Sequence, residues 1–261
     1  MSDGRVILVT GATGAVGSAI VPLLLADPAT QVTMLLRAPS DVALAERTNR
    51  LRDYWGDRVD ASAAARLQAV RGDVGEPRLG LAGRDYATLA ATVTNVVHSA
   101  GNVKLNQTIT AARASALTAA NEVISFVRAC EPRRGCPKLE HLSTVGVAGR
   151  SSGVVPEATI DNVRGYHNTY EQAKAEAETM LLAQMAAGLP ATIHRPSMVV
   201  GDSRDGRIIH FQVFYYLARF LAGSRTRGIL PAFGDVKLDL VPADHVARCV
   251  VASIGRADSI G

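Results

Sequence analysis

The sequence lacks long apolar runs and is poor in cysteine. No uninterrupted apolar stretch approaches the roughly 18–20 residues that span a bilayer, and the chain start lacks the basic and apolar regions of a signal peptide. Its three cysteines, Cys130, Cys136 and Cys249, form no CxxC motif, and an odd number suits a reducing compartment. These absences predict a globular, cytoplasmic protein without a membrane span.

The sequence also lacks a strong excess of charge. There are 28 basic and 24 acidic residues, which gives a net charge of +4. The arginines are scattered and no dense basic stripe typical of nucleic-acid binding is present, so no nucleic-acid partner is expected. The histidines lack metal-ligand spacing, and we predict no metal site. His98, His141 and His194 are interpreted as core residues of strands.

Short apolar runs rich in Val, Ile and Leu recur between stretches of helical periodicity. The predicted strands are Arg5–Thr10, Gln31–Leu36, Leu67–Arg71, Asn95–Ser99, Lys138–Ser143 and Ala191–Arg195. The predicted helices between them include Ala15–Ala26, Asp41–Trp55, Thr108–Ala129 and Tyr170–Ala187. Continuous apolar strands are buried on both faces. Their alternation with helices predicts an α/β fold with a doubly wound parallel sheet of the Rossmann type.

The pattern changes after residue 200. We expect one domain over residues 1–261, with its core in about 4–200 and 238–255 and a partial substrate lid in 201–237. Ile208–Leu221 and Val241–Ile254 are candidate helices there. Nothing in the sequence separates a second independent domain or fixes the oligomeric state.

The first predicted strand runs into a GxxGxxG motif. Its candidate cofactor-binding residues are Gly11, Thr13, Gly14, Ala15, Val16 and Gly17. The glycines would permit a tight turn, approach of a pyrophosphate to the backbone and close helix–strand packing. A merely structural turn is the alternative. The motif follows a strand and opens a helix, and this context favours a dinucleotide site.

The residue expected to meet the adenosine ribose is basic. Counting about 20 positions from Gly17 leads to Arg37, and an arginine there can pair with a 2′-phosphate. We therefore predict NADPH rather than NADH, with a solvated strand-end arginine as the alternative. Asp73 and Val74 follow the third strand and are candidates for the adenine. Ser99, Ala100 and Gly101 follow the fourth strand, where the chain would cross the cofactor.

Tyr170 and Lys174 form a YxxxK motif at the start of a predicted helix. The i,i+4 spacing places both side chains on one helix face, and a nearby ammonium would lower the pKa of Tyr170 from about 10. Tyr170 is then a candidate proton donor. Ser143 and Thr144 end the fifth strand, where a hydroxyl can bind a substrate oxygen as charge develops on it.

These motifs, in this order, resemble the extended short-chain dehydrogenase/reductase superfamily. Three stretches resemble its thioester reductase branch, which includes terminal reductase domains of peptide and polyketide synthases, carboxylic acid reductases and fatty acyl-CoA reductases. They are Gly72–Leu81, similar to GDLxxPxLGL, Arg195–Gly206, similar to RPGxIxGDSxTG, and Asp239–Ala247, similar to DxVPVDxVA.

The resemblance implies a role for each matching residue. Thr144 matches the catalytic Thr/Ser, Tyr170 the acid, and Lys174 the lysine that also binds the nicotinamide ribose. Arg195, Pro196 and Ser197 match the segment that borders the nicotinamide. Members of the branch transfer hydride from NADPH to an acyl thioester on a carrier protein or coenzyme A, giving an aldehyde or alcohol.

The chain departs from the family pattern in two ways. Ala116, Ala119 and Ser197 stand where the family usually has Asn, Gly and Gly. Members also continue into a C-terminal substrate subdomain, so either the acyl site is small and open or the chain is a piece of a longer protein. A nucleotide-sugar epimerase or dehydratase, and a non-catalytic NADP-binding sensor, are the alternative functions.

Overall fold

The computed structural model describes residues 4–130, 136–160, 165–223 and 237–256. Its main sheet has six parallel strands in the order β3-β2-β1-β4-β5-β6. These strands are β1 (Arg5–Thr10), β2 (Thr30–Leu36), β3 (Leu67–Arg71), β4 (Asn95–His98), β5 (Lys138–Leu142) and β6 (Ala191–His194). A small parallel pair is formed by β7 (Met198–Val200) and β8 (Leu240–Pro242). The doubly wound fold is confirmed, and the six predicted strands match within one residue at each end.

Helices cover both faces of the main sheet. They are α1 (Ala15–Leu25), α2 (Asp41–Trp55), α3 (Ala61–Ala65), α4 (Gly83–Thr92), α5 (Ile109–Arg113), α6 (Ala119–Ala129), α7 (Thr169–Ala186), α8 (Val213–Leu221) and α9 (Ala243–Ser253). Short 3-10 turns lie at Gly56–Arg58, Pro77–Gly80 and Val145–Ala148.

Each face of the sheet packs a separate apolar core. On one face, residues of β1 and β2 pack with those of α1, α2 and α9. There Trp55 is fully buried, and its indole N–H donates to the Ser18 carbonyl oxygen at 2.7 Å. On the other face, residues of α4, α6 and α7 form the second core, where Phe126 meets the ring of Tyr86 edge-on. Burial on both sides explains why β1 and β2 are mostly apolar, whereas β5 carries the buried polar residues Lys138, Glu140 and His141.

The chain changes direction across the sheet at β1. β1 pairs with β2 on one side and with β4 on the other. The connections that leave these strands therefore diverge at their carboxyl ends and open a crevice there. In open α/β sheets this switch point is where ligands bind.

The predicted helix Thr108–Ala129 is not regular. The α5 and α6 segments are joined by a π-helical turn over Ala114–Thr118, which contains Ala116. Such wide single turns occur often at functional sites. This one packs against α7, the helix that carries the YxxxK motif.

The region after β7 is only partly within the described residues. Here α8 begins at Val213, later than the predicted Ile208, and residues 224–236 of the predicted lid lie outside them. Asp202 pairs with Arg58 at 3.1 Å, and Asp244 accepts from the Ser203 N–H at 2.8 Å. The polar turn after β7 is thus tied to the 3-10 turn that follows α2 and to α9. The lid stays a prediction. No helix among the described residues is long and apolar enough to cross a bilayer.

Candidate active site

The glycine turn after β1 is required by close backbone contacts. Gly11 has φ +75°, and a Cβ there would lie 2.4 Å from the Ala100 backbone nitrogen. A Cβ on Gly17 would lie 2.2 Å from the Gly11 carbonyl oxygen. Gly14 caps α1 without a side-chain hydrogen bond, so the first amides of the helix have no side-chain cap. A bound pyrophosphate would find both space and free donors there.

The segment after β4 lies directly beside the glycine turn. The Ala100 N–H donates to the Thr10 hydroxyl at 3.3 Å, and a Cβ on Gly11 would lie 2.5 Å from the Ser99 carbonyl carbon. A Cβ on Gly101 would meet no atom within 4 Å. The predicted neighbours Ser99, Ala100 and Gly101 therefore come together with the glycine turn and leave room next to it.

Arg37 and Asp73 are brought together at the ends of β2 and β3. The Arg37 Nη1 lies 3.7 Å from the Asp73 carboxylate, and the Arg37 side chain is 79% exposed. The Asp73 N–H donates to the Leu79 carbonyl oxygen at 2.8 Å, and its carboxylate accepts from the Gly75 N–H. Leu79 is fully buried. Val74 packs at the edge of the second core. The turn Pro77–Gly80, which contains Leu79, thus holds Asp73 in place.

The three predicted catalytic side chains lie between α7 and the end of β5. Thr144 lies close enough to Tyr170 to affect the pKa of its phenol, and the Thr144 hydroxyl accepts from the Gly146 N–H at 3.2 Å. The Lys174 ammonium is buried and donates to the Leu142 carbonyl oxygen at 2.6 Å. Asn168 caps α7 by accepting from the Glu171 N–H at 2.9 Å, which fixes where the helix begins.

The predicted lowering of the Tyr170 pKa is wrong. Burial raises the pKa of Tyr170 to about 12, against the opposing effect of the nearby Thr144 hydroxyl. Burial also lowers the pKa of Lys174 to about 8, while Glu178 opposes this shift. Desolvation disfavours the charged form of each group. Tyr170 is therefore a protonated phenol at neutral pH, as a proton donor must be.

The segment that follows β6 lies against residues 143–145 at the end of β5. The Val145 N–H donates to the Pro196 carbonyl oxygen at 3.1 Å, and the Ser143 N–H donates to the His194 carbonyl oxygen at 2.7 Å. Pro196 therefore lies beside the residues that flank Thr144, and the expected nicotinamide contact of Arg195, Pro196 and Ser197 stays a prediction. The Arg195 guanidinium, however, pairs with Glu178 at 2.5 Å.

Sequence reasoning missed Glu178. This carboxylate is buried, accepts from the Ser143 hydroxyl at 2.6 Å and is bound twice by Arg195. A charged residue is rarely buried unless it is paired. The signal available in the sequence was its spacing, because Glu178 lies four residues after Lys174 and eight after Tyr170.

The histidine interpretation is supported by burial. His98 and His141 are buried and their rings lie 5.2 Å apart. Burial and the nearby Lys174 lower the pKa of His98 to about 3, so it stays neutral. His194 is more exposed and pairs with Glu140 at 2.8 Å. Within the described ranges, no group of His, Cys, Asp and Glu side chains could hold a metal ion.

A cavity of about 130 Å³ lies beside α7. It is lined by Val147, Tyr166 and Glu178 among others, but Thr144, Tyr170 and Lys174 do not contribute to its walls. The cavity is therefore separate from the predicted reaction centre.

Comparison with known proteins decides the family. The family model described as male sterility protein, an NAD-binding family, matches residues 9–250. The chain belongs to this family. The resemblance to the thioester reductase branch of the extended short-chain dehydrogenase/reductases is confirmed, and with it membership of an oxidoreductase family.

The relatives are much longer proteins. The chain is 30% identical over 247 residues to isonitrile lipopeptide synthase of Streptomyces coeruleorubidus, covering 94% of this chain and 16% of that protein. It is 30% identical over 267 residues to the L-2-aminoadipate reductase large subunit of Penicillium chrysogenum, covering 95% and 18%. The chain thus spans less than a fifth of these two relatives.

A solved structure supports the same assignment. The terminal R domain of the myxalamid PKS-NRPS pathway superposes with a TM-score of 0.85 and 27% identity, covering 100% of this chain and 64% of that one. The fold of the chain is therefore shared with a terminal reductase domain.

Proposed function

We propose that this protein is an NADPH-dependent reductase of acyl thioesters bound to a carrier protein or to coenzyme A, giving an aldehyde or alcohol. The observation that carries the proposal is that Tyr170 and Lys174, one helical turn apart on α7, lie against the end of β5, where Lys174 donates to the Leu142 carbonyl oxygen and Thr144 is close enough to affect the pKa of Tyr170. These groups stand at the carboxyl edge of the sheet, where the glycine turn after β1 also lies. Relatives at 30% identity include a protein named as a reductase.

The described residues fit a dinucleotide cofactor. Gly11, Gly14 and Gly17, with Thr13, Ala15 and Val16 between them, would hold the pyrophosphate on the α1 amides. Asp73 and Val74 would meet the adenine. Ser99–Gly101 and Arg195–Ser197 would border the nicotinamide half, where Lys174 would bind the ribose. We propose NADPH because Arg37 is exposed and cationic at the position expected to meet the ribose 2′-hydroxyl.

When bound, NADPH supplies the hydride. Thr144 and Tyr170 would donate hydrogen bonds to the thioester carbonyl oxygen, on which negative charge accumulates as the hydride adds. The buried phenol of Tyr170 carries its proton at neutral pH and can deliver it to that oxygen. When the C–S bond breaks, the proton on that oxygen returns to the Tyr170 phenolate, and the products are the aldehyde and a thiolate that takes up a proton from water.

The carrier of the substrate and the cellular compartment are also part of the proposal. The two relatives belong to large biosynthetic proteins, of which this chain matches one part. A carrier-bound acyl thioester is the substrate that suits such an arrangement. The chain has an odd number of cysteines, three, and this supports action in the reducing cytoplasm.

The test measures whether the protein reduces a defined set of acyl thioesters. The protein is incubated with NADPH and acyl-CoA or acyl-pantetheine thioesters, and the products are identified by mass spectrometry. Aldehyde or alcohol formed with stoichiometric NADPH oxidation supports the proposal. Conversion of a nucleotide sugar without net cofactor use would instead identify an epimerase or dehydratase. NADPH binding with no conversion of any substrate would identify a sensor.

A further inference from the structure

Glu178 has no task in the reaction outlined above. Its side chain is buried at 4% exposure in the middle of α7, and it accepts hydrogen bonds from the Ser143 hydroxyl and the Arg195 guanidinium. Burying a carboxylate is costly unless it is paired. Both of its partners lie next to residues of the candidate active site, Ser143 beside Thr144 and Arg195 beside Pro196.

The contacts of Glu178 complete a regular arrangement along α7. Three side chains spaced four residues apart lie on one helix face, and each lies close to one of three consecutive residues at the end of β5. The contacts are Tyr170 with Thr144, Lys174 with Leu142, and Glu178 with Ser143. Glu178 is the member of this row that also reaches the end of β6. It therefore joins α7, β5 and β6 at one point.

We propose that Glu178 is a positioning residue for the reaction at Tyr170. It orients the Ser143–Thr144 turn and the Arg195–Ser197 segment against α7. The inference rests on the proposed function. A shift of about 1 Å in a catalytic group can cost about 100-fold in rate. A carboxylate that fastens two strand ends to the catalytic helix is therefore expected to act on the catalytic step rather than on substrate binding.

Glu178 also acts on Lys174 through charge. His98 and His141, which face Lys174 from β4 and β5, have lowered pKa values because of burial, and Lys174 lowers them further. Tyr170 is a neutral phenol at neutral pH. The Glu178 carboxylate opposes the effect of burial and raises the pKa of Lys174. Glutamine at 178 preserves the side-chain size and removes this charge, so it should lower the pKa of Lys174.

The experiment compares wild type with Glu178→Gln, Glu178→Asp and a control, Glu176→Gln. Glu176 lies on the same helix, but it is more exposed and pairs with Arg113. We expect Glu178→Gln to lower kcat for NADPH-dependent thioester reduction by about 10- to 100-fold, with KM for the thioester nearly unchanged. Glu178→Asp should recover part of the loss. The alkaline limb of the kcat profile should move to lower pH in Glu178→Gln alone.

A second measurement needs no turnover. The chain has four lysines, Lys104, Lys138, Lys174 and Lys237, so protein labelled with [ε-13C]lysine gives few NMR signals. The signal of Lys174 is assigned by its loss in Lys174→Arg. Its titration should move to lower pH in Glu178→Gln and stay in place in Glu176→Gln.

The outcomes separate the inference from the proposed function. Wild-type kcat and an unshifted Lys174 titration in Glu178→Gln would overturn the inference while the function stands. Equal losses in Glu176→Gln would overturn it as well. If wild type shows no turnover but the Lys174 titration is shifted in Glu178→Gln, the proposed reaction is refuted. The effect of Glu178 on the pKa of Lys174 would still stand. If Glu178→Gln does not fold, Ser143→Ala tests the same contact through kcat, and a wild-type kcat there overturns the inference.

Discussion

The Lys174 ammonium donates to the carbonyl oxygen of Leu142 at 2.6 Å, inside the junction between α7 and β5. Burial lowers the pKa of this ammonium to about 8 from its usual value of 10.5. Between these two values the unfolded chain binds more protons than the folded protein does. The free energy of unfolding should therefore rise as the pH rises from about 8 to about 10.5.

A Lys174→Met variant lacks the titration of the Lys174 ammonium. Comparing its stability with that of wild type subtracts the contributions of the other groups that titrate at alkaline pH. The stability difference between wild type and Lys174→Met should change by about 3 kcal/mol across that window, in favour of wild type at the higher pH. Urea unfolding at pH 7.5, 9 and 10.5 measures it. A constant difference would show that Lys174 is not desolvated in the folded protein.

Replacement of Tyr170 by Phe should abolish the proposed reaction. The change removes the proton donor while keeping the ring. We expect NADPH oxidation with an acyl thioester to fall by about 100- to 10,000-fold. Tyr170 is also a candidate cofactor-binding residue, but NADPH affinity, measured by fluorescence titration, should remain within about twofold, since the ring, the glycine turn and Lys174 are all kept. Tyr166→Phe, at the wall of the separate cavity, is the control and should keep normal turnover.

Arg37→Ala should reduce the preference for NADPH over NADH. A hydrogen bond to a charged group contributes about 1.5–3 kcal/mol, so NADPH affinity should fall by about 10- to 100-fold and NADH affinity should hardly change. The exposed pair with Asp73 at 3.7 Å has little effect on stability. Fluorescence titration of both reduced cofactors, with Arg84→Ala on α4 as a control, makes the measurement. An equal loss for both cofactors would assign Arg37 to a general electrostatic role.

Gly17→Ala should disrupt the glycine turn. Its new Cβ would stand 2.2 Å from the Gly11 carbonyl oxygen, so α1 and the end of β1 must separate. We expect a loss of about 1–3 kcal/mol of stability together with weaker binding of NADPH. Gly83→Ala, whose Cβ would meet only the flexible Arg78 side chain at 3.4 Å or more, should instead stabilise α4 by about 0.5–1 kcal/mol. Thermal unfolding of both variants tests the contrast, and equal effects would contradict it.

The sheet could be predicted because the hydrophobicity of its residues indicates that they are buried. β1 and β2 are apolar at most positions on both faces, and this pattern allows few alternatives in a chain of alternating strands and helices. The glycine motif likewise predicted the turn after β1, and the YxxxK motif predicted the helix that carries Tyr170 and Lys174. Each motif has a fixed local geometry that depends on nearby residues in the chain.

What could not be predicted depends on distant contacts. Glu178 lies in a helix sequence that resembles a solvated face, and only the ends of β5 and β6 make it a buried partner. The effect of Lys174 on Tyr170 was predicted from spacing, yet burial dominates the pKa of both groups. The π-helical turn at Ala114–Thr118 has no sequence signal that periodicity detects.

The packing of α9 against α1 has a consequence for synthesis. The helix that covers the apolar face of α1, Ala243–Ser253, begins more than 200 residues after α1 ends and is therefore synthesised much later. Lys138 adds to this late closure by donating to the Ser253 carbonyl oxygen at 2.7 Å. During translation this face of the nascent chain stays uncovered and prone to association, the interval in which chaperones act.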